Sequence, residues 1–172
     1  GHTWISPLGI ERMMHGVAAL GPLLTPADQA RLRRVIESEV FWLLDHYTIV
    51  AGVYNKDHNN RPESNLWNGA IMLRAAQMYP DLARREEVLE KGHTFLINAV
   101  SIAADAADAA IKDGRPVQDR HIGAQFFDSY ALNHHGYLNV GYMVICLSNA
   151  AMLWFACREQ NWPVPDTLLH HV

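Results

Sequence analysis

An all-α fold of antiparallel helical hairpins is what this sequence predicts, on three observations. Apolar residues recur at three and four positions over several long segments, the period of a helix with one buried stripe. Thr25-Pro26, Pro62 and Tyr79-Pro80 put start and stop signals where those segments begin and end. Sustained strand alternation, a glycine-rich phosphate loop and a nucleophile elbow are all missing from the sequence. At 172 residues, 49% of them hydrophobic, the chain is long enough for a core of its own, and residues 1–172 read as one helical domain.

The first helix is predicted over residues 5–20, where Leu8, Met13, Met14, Val17, Ala18 and Leu20 form the apolar pattern and Gly21-Pro22 breaks it. Thr25 then serves as N-cap, Pro26 sits at the first helical position and Asp28 lies near the positive end of the dipole. That helix runs to about residue 48, with Leu32, Val35, Ile36, Val40, Leu43 and Leu44 on its buried stripe. Residues 51–61 are a polar loop without periodicity. Pro62 starts a helix that Pro80 stops, and Asp81 is placed to cap the next, predicted over residues 82–111 because the alanine-rich 103–110 stretch has high helix propensity. A turn follows at Lys112-Asp113-Gly114-Arg115-Pro116, and residues 117–128 are ambiguous. A long apolar helix reaches about residue 160, and a short tail helix begins at Asp166.

The formal charge of −4, with 10 histidines counted as neutral, gives no basic field, so neither nucleic acid nor an anionic membrane is an expected partner. Cys146 and Cys157 are eleven positions apart on one helix, about 16 Å at 1.5 Å per residue, too far to pair. The first residues lack the basic and apolar regions of a signal peptide, and a start at Gly1-His2 is that of a processed or excised chain. Residues 140–157 carry no charge and approach the length of a membrane span. Gly141, Ser148, Asn149 and the missing flanking lysines favour instead a helix buried on all sides.

Metal chemistry finds little support. Glu90-Lys91-Gly92-His93 is the one Glu-x-x-His spacing where a di-iron bundle needs two, and His-Glu-x-x-His is missing. Convergence of His134, His135, His58 and His121 stays open, while His170 and His171 read as exposed tail residues. No metal and no cofactor is expected.

The chemistry-bearing stretch is residues 128–143, which sets two asparagines, adjacent histidines and three tyrosines around two glycines, just before the most apolar run. One reading is a helix entry, with Asn133 as cap, a packed histidine and a tight backbone at Gly136. The other is catalytic: an amide, an imidazole and a phenol side by side can move a proton next to a bound carboxylate.

Tyr130-Ala131-Leu132-Asn133-His134-His135-Gly136-Tyr137-Leu138-Asn139-Val140-Gly141-Tyr142-Met143 resembles the Asn-His-Gly stretch in the helical toroid of heparinase II/III-like and alginate-lyase-like polysaccharide lyases. Glu63-Ser64-Asn65-Leu66-Trp67-Asn68-Gly69-Ala70, with Tyr79-Pro80-Asp81, resembles a second segment of that toroid. Together they cover about thirty residues, in matching order. The resemblance implies part of an (α/α) toroid, a segment of a larger ring that further residues or another chain would complete. It also implies β-elimination at a uronic acid of an acidic polysaccharide, and a periplasmic or secreted location. The implied catalytic set is Asn133, His134, His135, Tyr137 and Tyr142. Glu63, Asn65, Trp67, Asn68, His58 and Arg61 are the implied substrate-binding wall, with Trp67 stacking on a sugar and Arg61, Arg74 and Arg120 available to line a basic groove.

The register of the motif has two solutions: aligned on Gly136 the family histidine falls on His135, and aligned on Asn-His the pair is Asn133 and His134. The family's tyrosine lies well downstream of its histidine, where this chain has no counterpart. Two alternatives stand beside the lyase. One is a glycoside hydrolase on the same toroid, with Glu63 and Asp57 or Asp128 as paired carboxylates. The other is a non-catalytic helical module that associates with another chain.

Overall fold

The computed structural model describes residues 2–50, 52–54 and 60–172. Among them the chain forms six α-helices and two very short antiparallel ladders, so the mostly helical prediction holds. The order is α1 (Ser6–Leu20), α2 (Pro26–His46), α3 (Pro62–Met78), α4 (Arg85–Ile97), β1 (Ile111–Lys112), β2 (Arg115–Pro116), α5 (Val117–Arg120), β3 (Asn133–His134), β4 (Tyr137–Leu138) and α6 (Val140–Glu159). Single 3-10 turns lie at Gly21–Leu23 and Ala103–Ala107.

The proline and threonine signals are used as read. Thr25 Oγ1 accepts the Asp28 N–H at 3.2 Å, and Pro26 and Pro62 open their helices, where a missing N–H costs no intrahelical bond.

α3 is the hub, buried without interruption from Pro62 to Ala76. α1, α2, α4 and α6 pack around it. Two apolar clusters lie on its flanks. Met14, Ile36, Val40, Leu43, Ile71, Met72 and Phe95 fill the side toward α1 and α2, and Leu66, Ala70, Leu96, Cys146, Ala150 and Leu153 fill the side toward α6. At the α3–α4 crossing both helices present glycine. A Cβ on Gly69 would lie 2.7 Å from Leu96 Cδ2, and one on Gly92 would lie 2.9 Å from Leu73 Cδ2. Both cysteines are buried and free, as the spacing requires.

A buried ion pair crosses from α3 to α1, with Arg74 Nη1 2.8 Å from Glu11 Oε1, and Arg12 at 2.5 Å and His15 at 2.9 Å complete the carboxylate's shell. Arg120 clasps Glu90 with two bonds of 3.0 and 2.8 Å and also donates to the carbonyls of Lys112 and Asp113. Arg74 and Arg120 are therefore interior struts, each committed to a carboxylate.

Four local expectations are corrected. α4 ends at Ile97 instead of continuing to 111, because the Asn98 side chain bonds the Thr94 and Arg120 carbonyls and the Ile122 N–H, while Asp105 accepts the Ile102 N–H; side-chain bonds to backbone compete with the helix there. Asp81 does not cap α4, since it pairs with Arg33 at 3.0 Å and the capping position is Arg84 in left-handed conformation. The tail from Asp166 is a run of turns. Finally, α6 buries one face only. Val140, Val144, Leu147, Ala151, Trp154 and Phe155 form an exposed apolar stripe at helical spacing, and 33% of the helix's most apolar 18-residue window is buried. By length and composition it could cross a membrane.

Candidate active site

The stretch that reads as a helix entry is a hairpin. Asn133 pairs with Leu138 and His134 with Tyr137, leaving a two-residue turn of His135 (φ +60°) and Gly136 (φ +85°). Two consecutive residues with positive φ make a type I′ turn, which matches the twist of two strands. Gly136 adopts this conformation freely and His135 does so at a cost. Asn139, not Asn133, caps the following helix, its Oδ1 accepting the Tyr142 N–H at 3.2 Å. The turn and cap together bring the residue 142 side chain back over the strand.

Three proton-handling rings meet there. The His134 ring centroid is 4.0 Å from that of His135 and 4.2 Å from that of Tyr142, and His135 is 5.5 Å from Tyr142. His134 is buried, at 5% exposure, and His135 is exposed. Behind them, Asn60 Nδ2 donates to the carbonyls of Gln125 (3.0 Å) and Asn133 (2.7 Å), which leaves its Oδ1 to accept from His134 Nδ1 at 2.8 Å. With both amide hydrogens spent on carbonyls, the proton sits on Nδ1 and the Nε2 lone pair is free to accept. Burial, helped by the neighbouring His135 charge, lowers the His134 pKa to about 4, so the ring is neutral near pH 7.

Gln125 ties the network to α3, its Oε1 accepting the Arg61 N–H at 2.9 Å and its amide donating to the Val50 carbonyl. Gly52 makes room for it: a Cβ there would fall 2.2 Å from Asn60 Cα, while the Gly52 and Val53 N–H groups bond the Ala124 carbonyl. Asn60 and Gln125 escape a motif-based reading because each works through one amide in an aperiodic segment. What could have flagged Asn60 is its place beside the Arg61-Pro62 helix start.

The other implied residues fall elsewhere. Tyr137 stands opposite His134 in the ladder but is 60% exposed and outside the ring cluster. Glu63, Asn65, Trp67 and Asn68 are all buried within the first turns of α3 and present no wall to solvent. Asn65 donates to the Asn98 carbonyl at 2.6 Å. Trp67 is 3% exposed and packs against Trp4 at 6.1 Å, so its face is already covered. Glu63 receives the Ser64 hydroxyl at 3.3 Å, and burial pushes its carboxyl pKa up. Glu63 Oε2, Trp67 Nε1 and both Asn68 amide atoms have no hydrogen-bond partner among the described residues, a polar seam inside the hub. Arg61, at the capping position of α3, reaches Tyr47 Oη at 3.4 Å. His58 and Asp57 lie outside the described residues. Asp128 is exposed and accepts the Ala103 N–H at 3.1 Å.

The remaining histidines divide. His121 does not join His134 and His135; it sits within electrostatic reach of Asp105 and His170. His170 and His171 are not a solvated tail, since His170 is buried and both face Asp105. Glu90 is held by Arg115 and Arg120, whereas His93 Nδ1 meets Thr167 Oγ1 at 2.8 Å, so the two members of the Glu-x-x-His spacing serve different contacts. A cavity of about 540 Å³, lined by Met14, Val17, Leu24, Arg74, Tyr79 and Trp162, lies at the opposite end of α3 from the hairpin. No protein-family model matches the chain, and neither a curated protein nor a solved structure matches it.

Proposed function

We propose that the hairpin and the first turn of α6 form the working face of a polysaccharide-lyase-like protein that cleaves an acidic polysaccharide by β-elimination at a uronic acid. The observation that carries this reading is the contact of His134, His135 and Tyr142, backed by an amide network that fixes one histidine neutral. In the reaction, His135 takes the C5 proton, the C5–H electrons form the C4=C5 bond, and the C4–O bond breaks. Tyr142 protonates the departing oxygen. A cation must offset the substrate carboxylate as charge builds, and Arg61, whose backbone N–H is bonded to Gln125 of the same network, is the residue assigned to it. His134 touches both His135 and Tyr142 and acts as the positioning residue.

Incubation with alginate, heparan and pectin-type polymers should raise ultraviolet absorbance from the new conjugated double bond. His135→Asn should abolish the rise, because asparagine suits the left-handed turn but cannot take the proton. No absorbance change with any uronate polymer would refute the lyase reading. The hydrolytic alternative draws less support, because Glu63 is enclosed in the hub.

A second reading, a helical module that associates with another chain, is favoured by the uncovered stripe of α6. Sedimentation over a range of concentrations tests it: association that Leu147→Glu abolishes supports it, and a monomer at every concentration refutes self-association.

A further inference from the structure

We propose that Asp105, His170 and His171 form a binding site for a divalent transition-metal ion of the zinc class. The ligand atoms of these three side chains all lie within 4.8 Å of one another. Asp105 Oδ1 is 2.8 Å from His171 Nε2, and Oδ2 is 3.2 Å from His170 Nε2. Bonds of about 2.0–2.1 Å from zinc to nitrogen and carboxylate oxygen put neighbouring ligand atoms about 3 Å apart around the ion, close to the two carboxylate–imidazole separations present, with the whole set within 4.8 Å. Two imidazoles and one carboxylate are a donor set that suits zinc, cobalt or iron(II) and leaves a further position open, whereas magnesium and calcium prefer oxygen alone.

The backbone is arranged for this convergence. Adjacent side chains in a helix or strand diverge, yet the rings of His170 and His171 lie 3.9 Å apart because His171 adopts φ +60°. A left-handed histidine costs on the order of 1 kcal/mol, and here the result is that both Nε2 atoms face one carboxylate. The outer contacts also fit. Tyr130 Oη is 2.8 Å from His171 Nδ1, a partner that would hold the ring with Nε2 toward a metal. The Ile102 N–H fixes Asp105 Oδ2 at 3.0 Å. His121 is within electrostatic reach of Asp105 and His170, its Nδ1 buried and without a partner among the described residues, and is a protein group that a fourth ligand position could draw on. A bound ion would staple residues 170 and 171 to the 3-10 turn at Ala103–Ala107. The site is separate from the hairpin cluster, so its existence does not depend on the lyase reading.

The test is calorimetric titration of the chelator-treated full chain with zinc chloride, paralleled by cobalt(II) absorption in the visible. One equivalent of zinc should bind, with cobalt giving the intense bands of a low-coordinate nitrogen–oxygen site and magnesium failing to compete. Asp105→Asn and His171→Gln should each weaken binding at least tenfold, and Tyr130→Phe, which removes only the outer contact, about tenfold. The double variant His134→Asn/His135→Asn should bind as the wild type does. If Asp105→Asn does not fold, His171→Gln, on a partly exposed side chain, still decides. Absence of zinc binding, binding unchanged in His171→Gln, or binding lost only in the His134/His135 double variant would each overturn the proposal.

Discussion

The neutral, buried His134 makes stability depend on pH in a way that one substitution isolates. In the unfolded chain its imidazole titrates near 6.5, whereas in the fold burial holds it at about 4. For a histidine whose folded pKa is depressed, the stabilising contribution is complete above the unfolded value. It declines as pH falls through the window from 6.5 to about 4, because there the unfolded chain binds a proton that the folded chain refuses. At 1.36 kcal/mol per unit the whole window is worth about 3 kcal/mol, and at about pH 5 some 2 kcal/mol of it is gone. His134→Asn keeps an amide N–H where Nδ1 donates to Asn60 and removes the titrating group. Urea unfolding of wild type and variant at about pH 7.5 and about pH 5 gives four stabilities. Packing lost with the ring is the same at both values and cancels, so wild type should lose about 2 kcal/mol more than the variant on acidification. A difference between the two losses below about 0.5 kcal/mol, the ordinary error of additivity, would refute the reasoning. So would an NMR titration placing the His134 ring at its ordinary value.

Other perturbations follow from the same geometry. His135→Asn relieves the strained turn residue, and thermal unfolding should show stability equal to or above wild type by up to about 1 kcal/mol, while the proposed lyase activity should be lost. Gly52→Ala must push Asn60 away from Gln125 and Asn133, and should destabilise by about 2 kcal/mol or more and free the His134 ring, read as a rise of its NMR pKa toward 6.5. Arg74→Met leaves Glu11 enclosed, with Arg12 and His15 as its remaining partners, and should cost about 3 kcal/mol in urea unfolding.

What the sequence reveals here depends on how local the cause is. α1, α2 and α3 start where a proline or a side-chain cap makes the start a matter of three or four neighbouring residues. α4 is misjudged because the cause of its ending is distant: Asn98 bonds the Arg120 carbonyl and the Ile122 N–H, more than twenty positions away. An alanine run has the propensity for helix but no apolar stripe to bury, so tertiary bonds decide. At the candidate site, composition picks out His134, His135 and Tyr142, and their ring contacts draw them together. The His135-Gly136 turn is misread as helical because histidine is an uncommon first residue in a type I′ turn. The amide network is invisible beforehand because Asn60 and Gln125 are joined only by the folded chain. Trp67 and Asn68 show the opposite failure, residues of binding type that the hub encloses completely. His170 and His171 look like a tail because nothing nearby in the sequence announces Asp105 as their partner.

The enclosure of α3 also bears on the order of assembly. α1 and α2 leave the ribosome before α3, yet the surface they need in order to hide Met14, Ile36, Val40 and Leu43 belongs largely to the segment that follows. Until Pro62–Met78 has been made and seated, the amino-terminal pair is a half-sandwich without filling. Once α3 is seated, its other flank is still bare until α6 arrives some sixty residues later. A chain with its central element in the middle of the sequence therefore passes through synthesis with first one and then the other oily side open.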